Sequence, residues 1–189
     1  MKAIAIVGSA RKDGNTAALT RVVLGELGKV GVDTELIELA GQDIKSCKAC
    51  YKCFQNKDGQ CIIQSDVIND VIAKMKDADA IIIGSPTYFS NVSSEIKALI
   101  DRAGLVGIAN GYMFRRKVGA AVVAVRRAGS VNVFDAINKF FFINQMIVPG
   151  SVYWNMGIGR APGEVNEDEE GIRTMKILGE NMGWLLKKL

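Results

Sequence analysis

The stretch that decides the fold lies near the start of the chain. It is Ala3-Ile-Ala-Ile-Val7 followed by Gly8-Ser-Ala-Arg-Lys-Asp-Gly-Asn-Thr16. A continuous apolar run is typical of a strand that is covered on both faces. The nine residues after it are small or polar and lead directly into a helix predicted from about Asn15 to Lys29. A strand, a small-residue turn and a helix in this order indicate a βα unit whose turn binds an anion at the helix N-terminus.

The same alternation of strands and helices continues to the end of the chain. We predict four further strands at 34–39, 80–84, 118–125 and 148–154, the last interrupted by Pro149-Gly150. We predict four further helices at 66–76, 94–103, 131–146 and 167–189. This pattern predicts a doubly wound α/β domain with a parallel sheet between two layers of helices. Residues 1–189 are expected to form this single domain, with a cysteine-rich insertion at about 44–64.

The composition argues against several classes of function. The net charge is only +4 and the basic residues are scattered, whereas a nucleic-acid binder usually carries a dense basic stripe. There is no histidine, which removes the commonest general base and all histidine-containing metal sites. No apolar run approaches the roughly 18 residues that span a bilayer, and the start lacks a secretory signal pattern. We therefore expect a cytoplasmic protein that binds neither nucleic acid nor a membrane.

The turn after the first strand has the character of a phosphate-binding loop. It combines a helix N-terminus, a cation and more hydroxyl and amide groups than a helix cap needs. Five residues separate its two glycines and no lysine follows the second, so it is neither a Walker A loop nor a GxGxxG fingerprint. An ordinary turn with capping side chains is the alternative. The candidate phosphate ligands are Ser9, Arg11, Asn15, Thr16 and Ala17.

The loops after the third and fourth strands are expected to complete the site. In doubly wound sheets, ligands lie beyond the carboxyl ends of the strands. Aromatic faces and amide groups in the second loop suit the face and edge of an isoalloxazine ring, and arginines in the third suit its electron-rich end. Aromatics that merely cover the sheet edge and a solvated arginine turn are the alternatives. The candidates are Pro86, Thr87, Tyr88, Phe89, Asn91 and Val92 in the second loop, and Arg126, Arg127 and Gly129 in the third.

All four cysteines lie in the one long segment outside the strand–helix alternation. They are Cys47, Cys50, Cys53 and Cys61, in the pattern CxxCxxCx7C. In a reducing compartment, such a group indicates metal binding or catalysis before disulfides. Steps of three residues favour one loop that wraps a [4Fe–4S] cluster, whereas zinc ribbons usually separate two CxxC pairs by a dozen or more residues. Zinc and metal-free thiols remain the alternatives.

Three of these motifs together resemble a known family. They are the Gly8-Ser-Ala-Arg11 turn, the Cys47-Lys-Ala-Cys-Tyr-Lys-Cys53 segment and Ser85-Pro-Thr-Tyr88. The combination is similar to the NADPH-dependent FMN reductase superfamily. Within it, the compact cysteine motif resembles the iron–sulfur flavoproteins of archaea and anaerobic bacteria. The similarity extends through residues 95–102 to the start of the last helix at 168–171.

The resemblance implies a flavodoxin-like α/β/α domain with strand order 2-1-3-4-5, and a homodimer or homotetramer with flavins near the subunit interfaces. It also implies two cofactors. FMN would be held at its phosphate by Ser9, Arg11, Asn15 and Thr16 and at its ring by Pro86, Thr87, Tyr88 and Asn91, and a [4Fe–4S] cluster by the four cysteines. Two features depart from the family pattern: the long gap before the fourth cysteine, and the arginine-rich third loop.

These observations favour a redox flavoprotein in which electrons pass between FMN and a [4Fe–4S] cluster. Such transfer requires no protein acid or base, in keeping with the absence of histidine. The electron donor would be a small carrier protein such as ferredoxin, or a nicotinamide nucleotide. The second hypothesis is an NAD(P)H-dependent reductase of FMN or quinones in which the cysteines hold no functional cluster. A flavodoxin-like carrier is a third, disfavoured by the positive charge and the cysteine loop.

Overall fold

A computed structural model describes residues 1–189 as a five-stranded parallel sheet between two layers of helices. The sheet order is β2-β1-β3-β4-β5, which confirms the predicted flavodoxin-like topology. The strands are β1 (Lys2–Val7), β2 (Asp33–Glu38), β3 (Ala80–Pro86), β4 (Val118–Val125) and β5 (Met156–Ile158). The helices are α1 (Asn15–Lys29), α2 (Lys52–Asn56), α3 (Ile68–Asp77), α4 (Ser94–Ala109), α5 (Ser130–Ile143) and α6 (Glu169–Leu186), with a 3-10 turn at Glu164–Glu167.

Each face of the sheet carries its own apolar core, because successive strand residues point to opposite faces. Ile4 and Ile6 of β1 pack with α3, α4 and α5. Ala3 and Ala5 pack with α1 and α6 on the other face. Strands β1, β3 and β4 are almost wholly buried, as their continuous apolar sequences predict. This double covering leaves the two ends of the strands as the places where a ligand can enter.

The residue that follows β1 must be glycine because α4 begins very close to it. A Cβ atom on Gly8 would lie 2.3 Å from Cγ1 of Ile96 and 2.7 Å from Oγ of Ser93. Ser93 is the N-cap of α4, and its hydroxyl accepts a hydrogen bond from the N–H of Ile96. The first turn of the chain is therefore packed against the start of α4, which brings the loops after β1 and β3 together.

The predicted position of the fifth strand is wrong. The segment 148–154 forms no strand, and only Ile147 makes an isolated bridge to Val118. Pro149 has no N–H to donate to a ladder, so the chain leaves the sheet there and returns when Asn155 accepts a hydrogen bond from Val123. The observed β5 is the short segment Met156–Ile158, beside the end of β4. Its central glycine hides it from sequence patterns, because glycine is rare in strands.

The helices differ from prediction mainly at their ends. Helix α4 continues to Ala109, two turns beyond the predicted limit, and the predicted start of the last helix is a 3-10 turn. Helix α6 then begins after Asp168, whose side chain accepts a hydrogen bond from the N–H of Gly171. Helix α2, inside the cysteine segment, was not predicted. None of the helices is both long enough and apolar enough to cross a lipid bilayer.

Candidate functional site

A cleft of about 280 Å³ opens at the carboxyl edge of the sheet. The loops after β1, β3, β4 and β5 meet the N-terminus of α1 there, at the point where strand order reverses on either side of β1 and β3. Three arginines line the cleft, so its positive charge suits an anionic ligand. The lining residues are Ser9, Arg11, Asn15, Thr16, Pro86, Thr87, Tyr88, Ala124, Val125, Arg126, Gly159 and Arg160.

The N-terminus of α1 offers free hydrogen-bond donors to this cleft. Gly14 is the N-cap, and no side chain caps the helix. The N–H groups of Asn15, Thr16 and Ala17 have no acceptor in the protein. A helix N-terminus with free N–H groups and a positive dipole end binds phosphate well. The alternative of an ordinary turn closed by capping side chains does not describe this loop.

The side chain of Asn15 bonds to the loop after β5. Its Nδ2 donates to the carbonyl of Ala161 at 2.9 Å, and its Oδ1 accepts from the N–H of Gly163 at 2.8 Å. Asn15 thus ties the start of α1 to the loop after β5. It also lines the cleft, where its backbone N–H and the second N–H of Nδ2 remain available, so its role as a phosphate ligand stays a prediction.

The other predicted phosphate ligands differ in which polar groups they offer to the cleft. Ser9 Oγ accepts a hydrogen bond from the N–H of Arg11, which leaves its own O–H free to donate. Arg11 Nη1 donates to the carbonyl of Arg160 at 3.0 Å, so its guanidinium spans the cleft. Thr16 is buried but still lines the cleft, whereas the Ala17 side chain is fully buried in the core on the α1 side. Only the N–H of Ala17 is in a position to serve a ligand.

The second loop contains a tight turn with two residues in the left-handed region. Tyr88 and Asn91 exchange backbone hydrogen bonds at 3.0 Å, and Phe89 and Ser90 between them have φ of 47° and 58°. Such values are strained for side chains of this kind. The turn leaves Phe89 fully exposed, while Tyr88 lines the cleft. Pro86 and Thr87 also line the cleft, and the N–H and hydroxyl of Thr87 both donate to the carbonyl of Ala124.

Five of the predicted ring contacts lie outside the cleft. Gly129 has φ of +89°, and a Cβ atom there would lie 2.5 Å from Ser90 Oγ. Its absent side chain therefore allows the third loop to pack against the turn at 88–91. Asn91 Oδ1 accepts from the N–H of Val92, which is itself buried in the core. The set outside the cleft is Phe89, Asn91, Val92, Arg127 and Gly129.

The loop after β5 supplies cleft residues that the sequence did not reveal. Gly159 and Arg160 line the cleft, as do Ala124 and Val125 at the end of β4. Because the fifth strand was predicted at 148–154, the loop that follows the observed strand could not be recognised. The signal was present as Gly157-Ile-Gly159-Arg160, a glycine pair followed by a cation.

Glu164 fixes the backbone of this loop. Its Oε2 accepts hydrogen bonds from the N–H groups of Arg160 at 2.6 Å and Ala161 at 2.9 Å. Hydrogen bonds from Ala161 and then Arg160 hold the pKa of Glu164 below its ordinary value of 4.5. The carboxylate is exposed, so its role is to orient the loop rather than to contact a ligand in the cleft.

The four cysteines surround a second, much smaller cavity of about 20 Å³ on the flank of α4. The cavity is mostly apolar, and Leu105, Val106 and Arg102 of α4 close it. None of the cysteines forms a disulfide. No group of three or more cysteine, aspartate or glutamate side chains is gathered closely enough to hold a single metal ion. The four thiols therefore share a cavity without forming a closed tetrahedral site.

The backbone around the thiols turns sharply. Ala49 and Tyr51, which flank Cys50, have φ of 50° and 54°, and Lys57 after α2 has φ of 52°. Non-glycine residues in this region are uncommon, and their clustering is typical of a segment shaped for a ligand. The N–H of Ala49 donates to Sγ of Cys47 at 3.4 Å, a contact of the kind that supports iron–sulfur ligands.

The Cys53 thiol resists ionisation in the absence of a cation. Burial raises the pKa of the Cys53 thiol, backbone N–H groups of Phe54 and Cys53 lower it, and the charges on Cys61 and Cys50 raise it further. Four thiolates in one cavity repel one another, and a metal centre removes that repulsion because it carries the opposite charge. The donor set of four thiols, with no histidine or carboxylate, fits a soft metal such as iron in a sulfur cluster.

The cysteine segment is fixed firmly at its ends and lightly in its middle. Lys45 N–H donates to Asp66 at 2.9 Å, and Arg102 donates to the carbonyls of Lys45 and Ile63. Asn69 exchanges hydrogen bonds with the backbone of Cys61. Between these anchors lie the short helix α2, a few local contacts and one longer contact, in which the N–H of Gly59 donates to Oδ1 of Asn110 at 3.0 Å. Since the cavity holds about one water-sized group, the middle of the segment would have to move outward to admit a cluster.

Comparison with known proteins identifies the family of the chain. The family model for NADPH-dependent FMN reductase matches residues 1–161. An iron–sulfur flavoprotein of Methanocaldococcus jannaschii is 39% identical to the chain over 194 aligned positions, which cover 99% of this chain and 98% of the relative.

Solved structures support the fold alone, because their sequence identity is low. RosB, in complex with 8-demethyl-8-formylriboflavin-5'-phosphate, superposes with a TM-score of 0.81 at 19% identity, covering 100% of this chain and 80% of RosB. An archaeal flavodoxin superposes with a TM-score of 0.64 at 20% identity, covering 99% of both chains. From the full-length match and the family model, the chain belongs to the iron–sulfur flavoproteins of the NADPH-dependent FMN reductase superfamily and is a flavin-dependent oxidoreductase.

Proposed function

We propose that this protein passes electrons between FMN, bound in the cleft at the sheet edge, and a [4Fe–4S] cluster bound by Cys47, Cys50, Cys53 and Cys61. The observation that carries the proposal is the presence in one chain of a phosphate-type cleft and a cavity lined by four thiols. When bound, FMN supplies two-electron storage and the cluster supplies single-electron exchange. The protein binds, orients and shields the two groups.

On the flavin side, the chain's contribution is charge and free N–H groups. The three N–H groups at the start of α1 and the Ser9 hydroxyl would bind the phosphate oxygens. Arg11 and Arg160, joined through a hydrogen bond, would close the cleft over them. Tyr88, half-exposed above the cleft, would lie against the ring, and Arg126 near its edge. No carboxylate, lysine or cysteine lines the cleft.

The two sites lie apart within one chain. No residue lines both cavities. Helix α4 starts beside the cleft, and Arg102 lies nine residues after its N-cap, which is about 13 Å along the helix axis. We therefore expect the electron route to depend on a homodimer or homotetramer. The exposed Phe89 and the apolar groove of about 460 Å³ that includes Cys47 and Ala49 are candidate contact surfaces.

Two classes of electron donor are considered, a small carrier protein and a nicotinamide nucleotide. A small carrier protein such as ferredoxin would deliver single electrons to the cluster, and a nicotinamide nucleotide would deliver a hydride to the flavin. The lysines around the cysteines, Lys48 and Lys52, are exposed and suit an acidic carrier. We favour the carrier protein for this reason.

A Cys50→Ala variant tests the proposal, because Cys50 is the most exposed ligand and its loss leaves the cleft intact. We expect full FMN content together with at least a tenfold loss in the rate at which a reduced ferredoxin reduces the flavin. Ser46→Ala, in the same segment but outside the ligand set, should leave the rate unchanged. Equal rates in wild type and C50A would show that the cluster is not on the electron route.

An NAD(P)H-dependent reductase without a functional cluster is the second candidate. The small volume of the thiol cavity and its lack of a closed metal site favour it. Under this alternative, NADPH reduces the flavin rapidly and C50A leaves turnover unchanged. Stopped-flow reduction by NADPH and by reduced ferredoxin, measured on the same anaerobic preparation, separates the two candidates.

A further inference from the structure

Arg102 is the largest fully buried side chain of the molecule. A buried guanidinium is costly unless it is paired and its N–H groups find acceptors. Asp66, also buried, supplies the opposite charge, with Oδ2 at 2.5 Å from Nη1. The carbonyls of Lys45 and Ile63 accept from Nη1 and Nη2 at 3.2 and 3.0 Å. Two of the three guanidinium nitrogens thus hold both ends of the cysteine segment.

The third nitrogen has no partner. Nε of Arg102 is buried and makes no hydrogen bond. Leaving such a donor unsatisfied costs about 1–3 kcal/mol. The only other buried side-chain polar atoms without a partner are the Oδ1 atoms of Asn138 and Asn144, which are acceptors and belong to residues that do not line the cysteine cavity. Arg102 is therefore the one residue lining the four-cysteine cavity that carries an unused buried donor.

We propose that Arg102 is a positioning residue for the iron–sulfur cluster, whose Nε–H donates a hydrogen bond to a cluster or cysteine sulfur. The inference rests on the proposed function, since it requires the cluster to be bound. The Nη groups fix where the segment begins and ends, and the Nε–H then sets how the cluster lies against α4. Donors to sulfur stabilise the more negative, reduced state, so this hydrogen bond raises the reduction potential of the cluster.

Two variants separate this role from simple anchoring of the loop. Arg102→Lys keeps the positive charge but removes the Nε–H, together with the guanidinium bonds to the carbonyls of Lys45 and Ile63. Asp66→Asn keeps the Nε–H but weakens the anchor, because it removes the charge that pairs with Arg102. Loosening of the loop affects both variants in the same direction. Loss of the hydrogen bond lowers the potential in R102K alone, whereas loss of a nearby negative charge in D66N shifts the potential upward or leaves it unchanged.

The experiment is an anaerobic redox titration of the full-length protein, followed by electron paramagnetic resonance of the reduced cluster. FMN content and circular dichroism of each variant report whether it is folded. A chelator assay gives the rate of iron loss. For R102K we expect a more negative cluster potential and about ten- to hundredfold weaker iron retention, at full FMN content. For D66N we expect no fall in potential.

Two results would overturn the inference. One is an R102K cluster with the wild-type potential. The other is a fall in potential, or a loss of iron, of equal size in R102K and D66N, which would reduce Arg102 to an anchor. A fall in potential in R102K, beside an unchanged or raised potential in D66N, supports the inference. Wild-type protein that incorporates no iron would overturn the proposed function as well, so the two failures are distinguishable.

Discussion

Asn15 joins the two loops on either side of the cleft through its side chain. Both polar atoms of its side chain bond to the loop after β5, at Ala161 and Gly163. That loop provides Gly159 and Arg160 to the cleft. The amide therefore fixes the distance between the two sides of the cleft, while the peptide N–H of the same residue stays free for an anion.

We expect Asn15→Ala to weaken FMN binding by about tenfold. Each of the two lost hydrogen bonds contributes about 1 kcal/mol to the ordered loop, and part of that energy is needed again when the ligand binds. Fluorescence titration of the apoprotein with FMN measures the change. Asn166→Ala is the matched control, because Asn166 is exposed in the neighbouring 3-10 turn and its side chain makes no hydrogen bond. Equal affinity for wild type and N15A would contradict this role.

Replacement of glycine by alanine should have opposite effects on the free energy of unfolding at two positions. Gly8→Ala places a Cβ atom 2.3 Å from Ile96, so we expect a loss of about 1–3 kcal/mol in the free energy of unfolding. Gly25 is exposed in the middle of α1 with nothing within 4 Å of its Cβ position. Gly25→Ala should therefore raise the free energy of unfolding by about 0.5–1 kcal/mol. Urea unfolding of both variants tests this, and a destabilising G25A or a neutral G8A would contradict the packing described.

At the scale of elements, the sequence predicted buried strands well and short irregular elements poorly. Strands β1, β3 and β4 are continuous apolar runs, and their positions are confirmed. Strand β5 has only three residues and a central glycine, so neither length nor composition marks it. The cleft residues of the first two loops were found because they follow confirmed strands. Gly159 and Arg160 were missed because their strand was misplaced.

The loop after β5 should make FMN binding sensitive to acid. Glu164 holds the N–H groups of Ala161 and Arg160, and these bonds lower its pKa below 4.5. A carboxyl whose pKa is lowered in the folded protein stabilises that protein fully when the pH is above the ordinary pKa. The stabilisation is lost as the pH falls through the lowered pKa. We expect Glu164→Ala to bind FMN more weakly than wild type at pH 7.

The same reasoning predicts how the difference changes with pH. The ratio of FMN dissociation constants between E164A and wild type should be constant from pH 7 down to about 5.5 and should approach one as the pH falls below 4.5. Glu167→Ala, at an exposed acidic residue of the same 3-10 turn, serves as the control and should match wild type throughout. A ratio that is the same at pH 4 and pH 7 would show that the Glu164 charge does not hold the loop.

At the scale of the whole molecule, exposed aromatic surface points to self-association. Phe89 is fully exposed at the tip of a strained turn beside the cleft. We expect Phe89→Ser to shift the protein toward monomer in sedimentation velocity, because a large exposed aromatic near a cofactor site is typical of an interface. Trp184→Ser, at an equally large exposed aromatic of α6, is the comparison and should leave the assembly unchanged. An F89S protein with wild-type sedimentation would argue against this surface.

The architecture as a whole places the two cavities on different elements. The edge of the sheet forms the arginine-lined cleft, and the long segment after β2 forms the thiol cavity against the flank of α4. If the two cofactors bind as proposed, we expect that each can be removed by substitution while the other stays bound.

The amounts of FMN, iron and acid-labile sulfide in protein purified without oxygen test the central claim most directly. The cysteine pattern and the cleft predict one FMN together with about four iron and about four sulfide per chain. The C50A variant should keep the FMN and lose most of the iron. Wild-type protein that contains stoichiometric FMN but no iron or sulfide, even after anaerobic reconstitution, would contradict a two-centre redox protein.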